Sequence, residues 1–198
     1  MTIRFNSPIF GPVHSRRLGT SLGVNLLPGN GKVCNFDCIY CECGYNKDYK
    51  TGDSLPTRFN VKKALEKQLS LMKEEDKAPD VFTFAGNGEP TLHPDFSDII
   101  ADTIELRDKF FPKAQICVLS NATRISKLDV FEALKKVDQN ILKLDTVNED
   151  YIKMVNRPLR SYSLQETIKN LKNFGKDCII QTMFLKGCYK GKSVDNTT

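Results

Sequence analysis

The amino-acid sequence predicts an α/β fold built on a mostly parallel sheet. Two patterns lead to that expectation. Apolar, β-prone runs of five to eight residues alternate with segments whose apolar positions recur at helical spacing. Most of these runs end in glycine, asparagine, aspartate or serine, where open α/β sheets and barrels present their ligand-binding loops. No low-complexity segment or shift of composition divides the 198 residues, so one domain over 1–198 is expected, long enough to bury a real core.

Residues 1–19 contain Pro8, Gly11, Pro12 and Gly19 and read as an extended, irregular N-terminal arm. Ser21 to Leu27 is the first strand, ended by Pro28-Gly29-Asn30-Gly31. Asn60 reads as the cap of a helix with Val61, Ala64, Leu65, Leu69 and Met72 inward. Val81 to Ala85 is uncharged and suits a strand covered on both faces; Gly86-Asn87-Gly88-Glu89-Pro90-Thr91 follows it. A helix from about Asp95 carries Phe96, Ile99, Ile100 and Ile104 on one side, and Gln115 to Leu119 is a third strand leading into Ser120-Asn121. Ser126-x-x-Asp129 has the form of a capping box for a helix with Val130, Phe131, Leu134 and Val137 inward. Ile141 to Asp145 is the fourth strand. Ser163-x-x-Glu166 opens a helix closed by Gly175, and Cys178 to Leu185 is the fifth strand. Right-handed βαβ units follow from this alternation.

Composition is that of a globular protein, 40% hydrophobic and 27% charged. No apolar run approaches the roughly 18–20 residues of a membrane span, so no membrane association is expected. The N-terminus, with Arg4 and Asn6, lacks the apolar core of a signal peptide, which predicts a cytoplasmic protein. Seven cysteines in a reducing compartment argue for metal ligation over disulfides. The net charge of +5 is compatible with an anionic partner such as RNA, though by itself it describes a mildly basic surface.

The densest chemistry lies in Lys32-Val33-Cys34-Asn35-Phe36-Asp37-Cys38-Ile39-Tyr40-Cys41, where three cysteines stand at C-x3-C-x2-C. Thiolates are soft ligands suited to iron–sulfur clusters or zinc. A structural zinc site closes with four ligands and an ordinary cluster with four cysteines, so three can hold three irons of a cube and leave the fourth open. Cys43 extends the pattern by one residue and raises the alternative of an electron-transfer or zinc-stabilised binding protein with Cys34, Cys38, Cys41 and Cys43 as ligands. A single intervening residue fits paired zinc-ligand spacing poorly, and Cys43 is taken as a spare or shielding residue. Cys117 and Cys178 read as small buried hydrophobes and Cys188 as an exposed loop residue. His14 and His93 are isolated, and His93 before Pro94 suits a role in ordering the turn after Glu89.

The motif Cys34-x3-Cys38-x-Tyr40-Cys41 resembles that of the radical S-adenosylmethionine (SAM) superfamily. Together with Gly11-Pro12-Val13-His14-Ser15-Arg16-Arg17-Leu18-Gly19 and Gly88-Glu89-Pro90-Thr91-Leu92-His93-Pro94, it is most similar to an Fe–S oxidoreductase group related to wyosine-type tRNA-modifying synthetases. The resemblance implies a partial (β/α)6 TIM-type barrel. The chain has residues for five strands, so the sixth βα unit is expected to be missing and the core truncated, leaving an apolar edge at the fifth strand. The resemblance further implies a [4Fe–4S] cluster on Cys34, Cys38 and Cys41 whose open iron binds the amino and carboxylate groups of SAM. Reductive cleavage of SAM then gives a 5′-deoxyadenosyl radical that abstracts hydrogen from a substrate. By the same resemblance Tyr40 lies beside the adenine. Gly86 and Gly88 let backbone approach the ligand, Glu89 pairs with the SAM ammonium, and Asn121 contacts its ribose or methionine portion. Asp145, Gln181 and Thr182 are further candidates around the ribose, while no catalytic residue is assigned. The implied partners are a one-electron donor such as a flavodoxin or ferredoxin, with tRNA as the candidate substrate.

Overall fold

The computed structural model describes residues 2–49 and 54–197. Its centre is a six-stranded sheet formed by β1 (Ile9–Ser15), β2 (Gly19–Val24), β3 (Val81–Phe84), β4 (Gln115–Ser120), β5 (Gln139–Lys143) and β6 (Ile179–Gln181), in that spatial order. The five strands from β2 to β6 are mutually parallel, as the alternation with helices predicts. The sheet stays open, an arc of a barrel rather than a closed one.

A sixth βα unit is expected to be missing after the fifth strand, and the sheet gains its sixth strand from the N-terminal end instead. That strand is β1, within the segment expected to be an irregular arm, and it pairs antiparallel with β2 on the opposite edge. Its pairing shifts register between Phe10 and Val13. Pro12 falls inside that irregularity, where a missing N–H is tolerated on an edge strand, and this is why the prolines and glycines concealed the strand.

The helices cover one face. Thr57, not Asn60, caps α1 (Arg58–Glu74): its hydroxyl accepts from Asn60 N–H at 3.2 Å. Asp95 stands at the cap position of α2 (Phe96–Phe110) as expected. For α3 (Leu128–Leu134) the cap position is Lys127, and the expected box at Ser126 does not form. Ser163 does cap α5 (Leu164–Lys172), accepting from Glu166 N–H at 3.2 Å. Between β5 and α5 lies an element without a sequence signature in apolar spacing. It is a short turn, α4 (Glu149–Tyr151), that continues into a π-helical turn, Ile152–Asn156.

Leu22, Val24, Phe82, Phe84, Ile116 and Val118 carry the centre of the core, all essentially without solvent contact. Phe84 meets Phe96 of α2 edge-on at 6.3 Å. On the other face Ser21 and Thr83 share a hydroxyl hydrogen bond of 2.7 Å, and Cys117 packs with Val81 and Ile141. Cys117 is therefore the small buried hydrophobe that its strand position predicts.

The expected long fifth strand contracts to three residues. β6 exposes Ile179 and Ile180 and pairs only with β5. Beyond it the chain forms a separate hairpin of β7 (Lys186–Tyr189) and β8 (Lys192–Asp195), turning at Lys190-Gly191 with φ of +49° and +76°, the left-handed pair of a tight hairpin. Cys188 is exposed on β7 rather than on a loop. Thr198, the end of the tail, lies outside the described residues.

Replacing Phe84 by Ala removes a fully enclosed ring and leaves a cavity against α2. A loss of about 3–5 kcal/mol is expected in urea unfolding.

Candidate functional site

The cysteine loop leaves β2 and crosses the ends of the parallel strands. Its backbone has no regular partners, so each buried N–H and C=O has to find an individual one. Val33 N–H donates to Asn87 O at 2.8 Å and Val33 O accepts from Glu89 N–H at 3.1 Å, a parallel bridge onto the Gly-Asn-Gly-Glu segment. This is what the two glycines serve in the structure. Gly88 has φ +142°, and a Cβ there would stand 1.9 Å from Val33 O. Gly86 has φ +144°, and a Cβ would meet Asn25 Oδ1 at 2.4 Å. The close approach is made by the chain's own backbone and by Asn25.

Asn87 is the fully buried hub of this bracket, a residue without prior assignment. Its amide donates to Phe5 O at 2.7 Å and Pro28 O at 2.8 Å, and its Oδ1 accepts from Phe5 N–H at 3.0 Å. Lys32, equally unassigned, is almost fully enclosed and ion-paired to Asp37 at 3.1 Å. The same Asp37 oxygen accepts from Asn46 N–H at 2.9 Å and Asn46 Nδ2 at 2.8 Å, while Asn46 Oδ1 accepts from Cys34 N–H at 2.8 Å. Burial opposes ionisation of Asp37, but the bonds from Asn46 and Lys32 outweigh it and hold the carboxyl below its ordinary range.

The three thiols are free. Cys38 is buried, and Cys34 and Cys41 are partly so. Asn121 Nδ2, at the end of β4, lies 3.5 Å from Cys34 Sγ, and Phe36 N–H donates to the same sulfur at 3.4 Å. Asn156 Nδ2, at the end of the π-helical turn, lies 3.6 Å from Cys38 Sγ. π-Helical turns cluster at functional sites, and this one delivers its last side chain to a thiol. Burial pushes the Cys34 thiol up to about 12 and raises Cys38 as well. Cys41 is drawn down to about 6 by the neighbouring Cys43 thiol and, against burial, by the Lys32 charge. Cys43 Sγ also lies 3.1 Å from Gly86 O.

The remaining candidates fall into two groups. Glu89 is entirely enclosed. Its Oε1 accepts from Thr91 N–H, Thr91 Oγ1 and Ser120 Oγ at 3.1, 2.6 and 2.8 Å, and its Oε2 from Asn121 N–H at 2.7 Å. Burial lifts this carboxyl above its ordinary value although the four donors oppose the shift. The carboxylate expected to meet an ammonium is thus directed inward, tying the glycine-rich turn to the end of β4. Tyr40 and Asp145 form the second group. The Tyr40 hydroxyl donates to Asp145 Oδ2 and accepts from Lys143 Nζ at 2.7 Å, and Asn156 Nδ2 donates to Asp145 Oδ2 at 2.6 Å. Burial, then the charges of Cys38 and Asp145, raise the Tyr40 pKa and keep it a phenol. Met183 N–H donates to Asp145 Oδ1 at 2.9 Å and Thr182 Oγ1 donates to Leu144 O at 2.7 Å, joining β6 to the end of β5. Gln181 pairs in register with Lys143. His93 orders its turn: Nδ1 accepts from Asp95 N–H at 3.1 Å, leaving Nε2 to bond Pro56 O at 2.8 Å.

A cleft of about 610 Å³ opens beside Cys34 and Asn35, with Thr123, Arg124 and Arg160 among the residues around it. Three free thiols on one loop, two of them receiving amide N–H bonds, fit an iron–sulfur cluster, whose sulfur ligands are tuned by such bonds. Among the described residues no group of three or more His, Cys, Asp or Glu is gathered to hold a metal ion.

Lys32→Met strands the Asp37 carboxylate inside the loop and is expected to cost about 3 kcal/mol in urea unfolding at neutral pH. The contribution of Asp37 is present above the ordinary carboxyl pKa of about 4 and is lost as pH falls through its depressed folded value. The gap between wild type and Lys32→Met should therefore narrow when unfolding is repeated near pH 3.

Comparisons with known proteins bear on the family and the fold. The family model described as the radical SAM superfamily matches residues 31–188. A UPF0026 protein of Methanocaldococcus jannaschii is 32% identical over 182 residues, covering 89% of this chain and 53% of that protein. A UPF0026 protein of Synechocystis is 30% identical over 185 residues, covering 90% of this chain and 64% of that protein. A protein of Brachyspira hyodysenteriae named GTPase Obg is 32% identical over 166 residues, 84% of this chain but 23% of its own length. The chain thus spans between about a quarter and two thirds of these relatives. Among solved structures, TYW1 with a lysine–pyruvate adduct bound superposes with a TM-score of 0.58 at 16% identity, over 86% of this chain and 58% of that one. An archaeal TYW1 gives 0.50 at 15% identity, over 84% and 56%. At such identities the likeness is one of fold. The match over residues 31–188 takes in all three cysteines and four of the five parallel strands, β3 to β6, and the chain belongs to the radical SAM superfamily.

Proposed function

We propose that this chain is the core of an enzyme that binds a [4Fe–4S] cluster through Cys34, Cys38 and Cys41, and SAM at the iron these thiolates leave open. When bound, the two cofactors supply a one-electron reductive cleavage that releases a 5′-deoxyadenosyl radical. The observation that carries this reading is the set of three free thiols on one bracketed loop, with Asn121 and Asn156 donating to two of the sulfurs.

The chain's own residues orient and shield. Lys32 places a buried cation beside the thiolates, which favours their charged form. Asn121 and Asn156 hold the sulfurs of Cys34 and Cys38 in place. Tyr40, through Lys143 and Asp145, ties the last turn of the loop to the end of β5 and keeps one wall of the site in a single arrangement. Glu89 fixes the turn that the loop rests on. Cys43 is kept as a neighbour of Cys41, outside the ligand set.

A flavodoxin or ferredoxin is the class of electron donor this chemistry requires, and the cytoplasm is the compartment that keeps such thiols reduced. No helix of the described residues is long and apolar enough to cross a membrane. For the substrate we propose tRNA, supported by the net charge of +5 and by the resemblance in fold to TYW1.

Cys34→Ala, Cys38→Ala and Cys41→Ala are each expected to abolish the reduced-cluster EPR signal after anaerobic reconstitution, while Cys43→Ala keeps it. Adding SAM should perturb the signal of the wild type. A full cluster in Cys38→Ala, loss of it in Cys43→Ala, or indifference to SAM overturns the ligand assignment. Formation of 5′-deoxyadenosine that rises on adding tRNA tests the substrate; no rise removes tRNA.

A further inference from the structure

A groove of about 350 Å³, separate from the Cys34 cleft, lies between the π-helical turn and the β7–β8 hairpin. Its lining is four cations, Met154 and one aromatic ring. Lys153 and Arg157 come from one wall, Lys190 and Lys192 from the other, with Tyr189 between them. The Arg157 guanidinium stands 5.2 Å from the centre of the Tyr45 ring, and its Nη1 donates to the Tyr189 hydroxyl at 3.5 Å. Lys190 Nζ is 5.6 Å from the Tyr189 ring. Only Lys153 of these four cations forms an ion pair among the described residues, with Asp150 at 3.4 Å, and that pair is exposed to solvent. Among the described residues Arg157, Lys190 and Lys192 have no carboxylate partner. The left-handed Lys190-Gly191 turn projects the first of these lysines from the tip of the hairpin.

Uncompensated cations around an aromatic ring match a nucleic-acid strand, whose phosphates meet the cations and whose unstacked bases meet the ring and the guanidinium plane. An acidic peptide would use the lysines and make no use of the partly exposed Tyr189 ring beside the guanidinium plane. A duplex hides its bases. The groove also adjoins the proposed cluster site: Asp37 N–H donates to Arg157 O at 3.1 Å, and Asn156, the preceding residue, contacts Cys38. A strand lying there is led along the cysteine loop.

We propose that this groove binds a single-stranded segment of RNA and guides it toward the cysteine loop, a surface role that rests on the reading of tRNA as substrate and adds where its unpaired region docks. Arg157 and Tyr189 serve as the stacking pair, and Lys190 and Lys192 as phosphate contacts.

The test is fluorescence anisotropy with the full chain, free of cluster, and four probes: a labelled single-stranded RNA, a DNA of the same sequence, the duplex RNA and poly-glutamate. The single-stranded RNA should bind tightest. Lys190→Gln/Lys192→Gln should flatten the dependence of log affinity on log salt by about 0.7 per lysine removed. Tyr189→Leu should weaken binding by on the order of tenfold without changing that slope. Circular dichroism monitors the fold of both variants, and the lysine pair, being exposed, keeps the test independent of hairpin packing. No binding of single-stranded RNA at low salt, an unchanged slope in the lysine variant, or equal or tighter binding of DNA, duplex or poly-glutamate overturns the inference. Binding of tRNA that neither variant alters overturns the groove and leaves the tRNA reading standing. RNA binding as described, without tRNA-dependent 5′-deoxyadenosine, does the reverse.

Discussion

The Asp37 carboxylate is the point about which the cysteine loop turns, since one of its oxygens gathers Lys32 and both the main chain and side chain of Asn46. A loop that carries three thiols in eight residues cannot also pay into a helix or strand ladder, so its backbone would be costly to bury without individual partners. Asp37 and Asn46 close the loop on itself. Lys32 then balances a charge that would otherwise be buried without a counter-ion. A buried ion pair adds little net stability over a hydrophobic contact, but losing one partner is expensive, and that asymmetry holds the loop in one conformation.

The loop is fixed a second time from outside. The Gly-Asn-Gly-Glu segment after β3 bridges to Val33, and the π-helical turn accepts Asp37 N–H and Ile39 N–H through Asn156 O and Val155 O. Glu89 works one layer further out, holding β4 and the glycine-rich turn together so that Asn121 faces Cys34. Two strand ends and one irregular turn therefore converge on the same thiols. The site is supported from separate parts of the chain, and a displacement in any of them would move the sulfurs.

The same economy appears at the end of β5. Tyr40, Lys143, Asp145 and Asn156 share one network that links the loop, the sheet and the π-helical turn. Asn196 extends it, donating to Asp145 O at 2.8 Å and so anchoring the segment after β8 to the strand ends. The hairpin is thereby held against the wall that bears Arg157, which is what gives the basic groove a defined shape.

By itself the sequence determined the α/β class, the parallel sheet of five alternating strands and the position of the cysteine loop at their ends. These follow from local information: apolar spacing and turn residues. The tertiary structure alone decided that β1 completes the sheet, because a strand interrupted by Pro12 is recognised by its partner and not by its own pattern. It alone decided that Gly86 and Gly88 make room for Asn25 and Val33, and that Glu89 spends its oxygens on Thr91, Ser120 and Asn121. Lys32, Asn87 and Asn156 were equally invisible, since a buried polar residue is defined by groups distant in sequence that satisfy it. Asn156 lies 118 residues from Cys38, and only folding brings the two together.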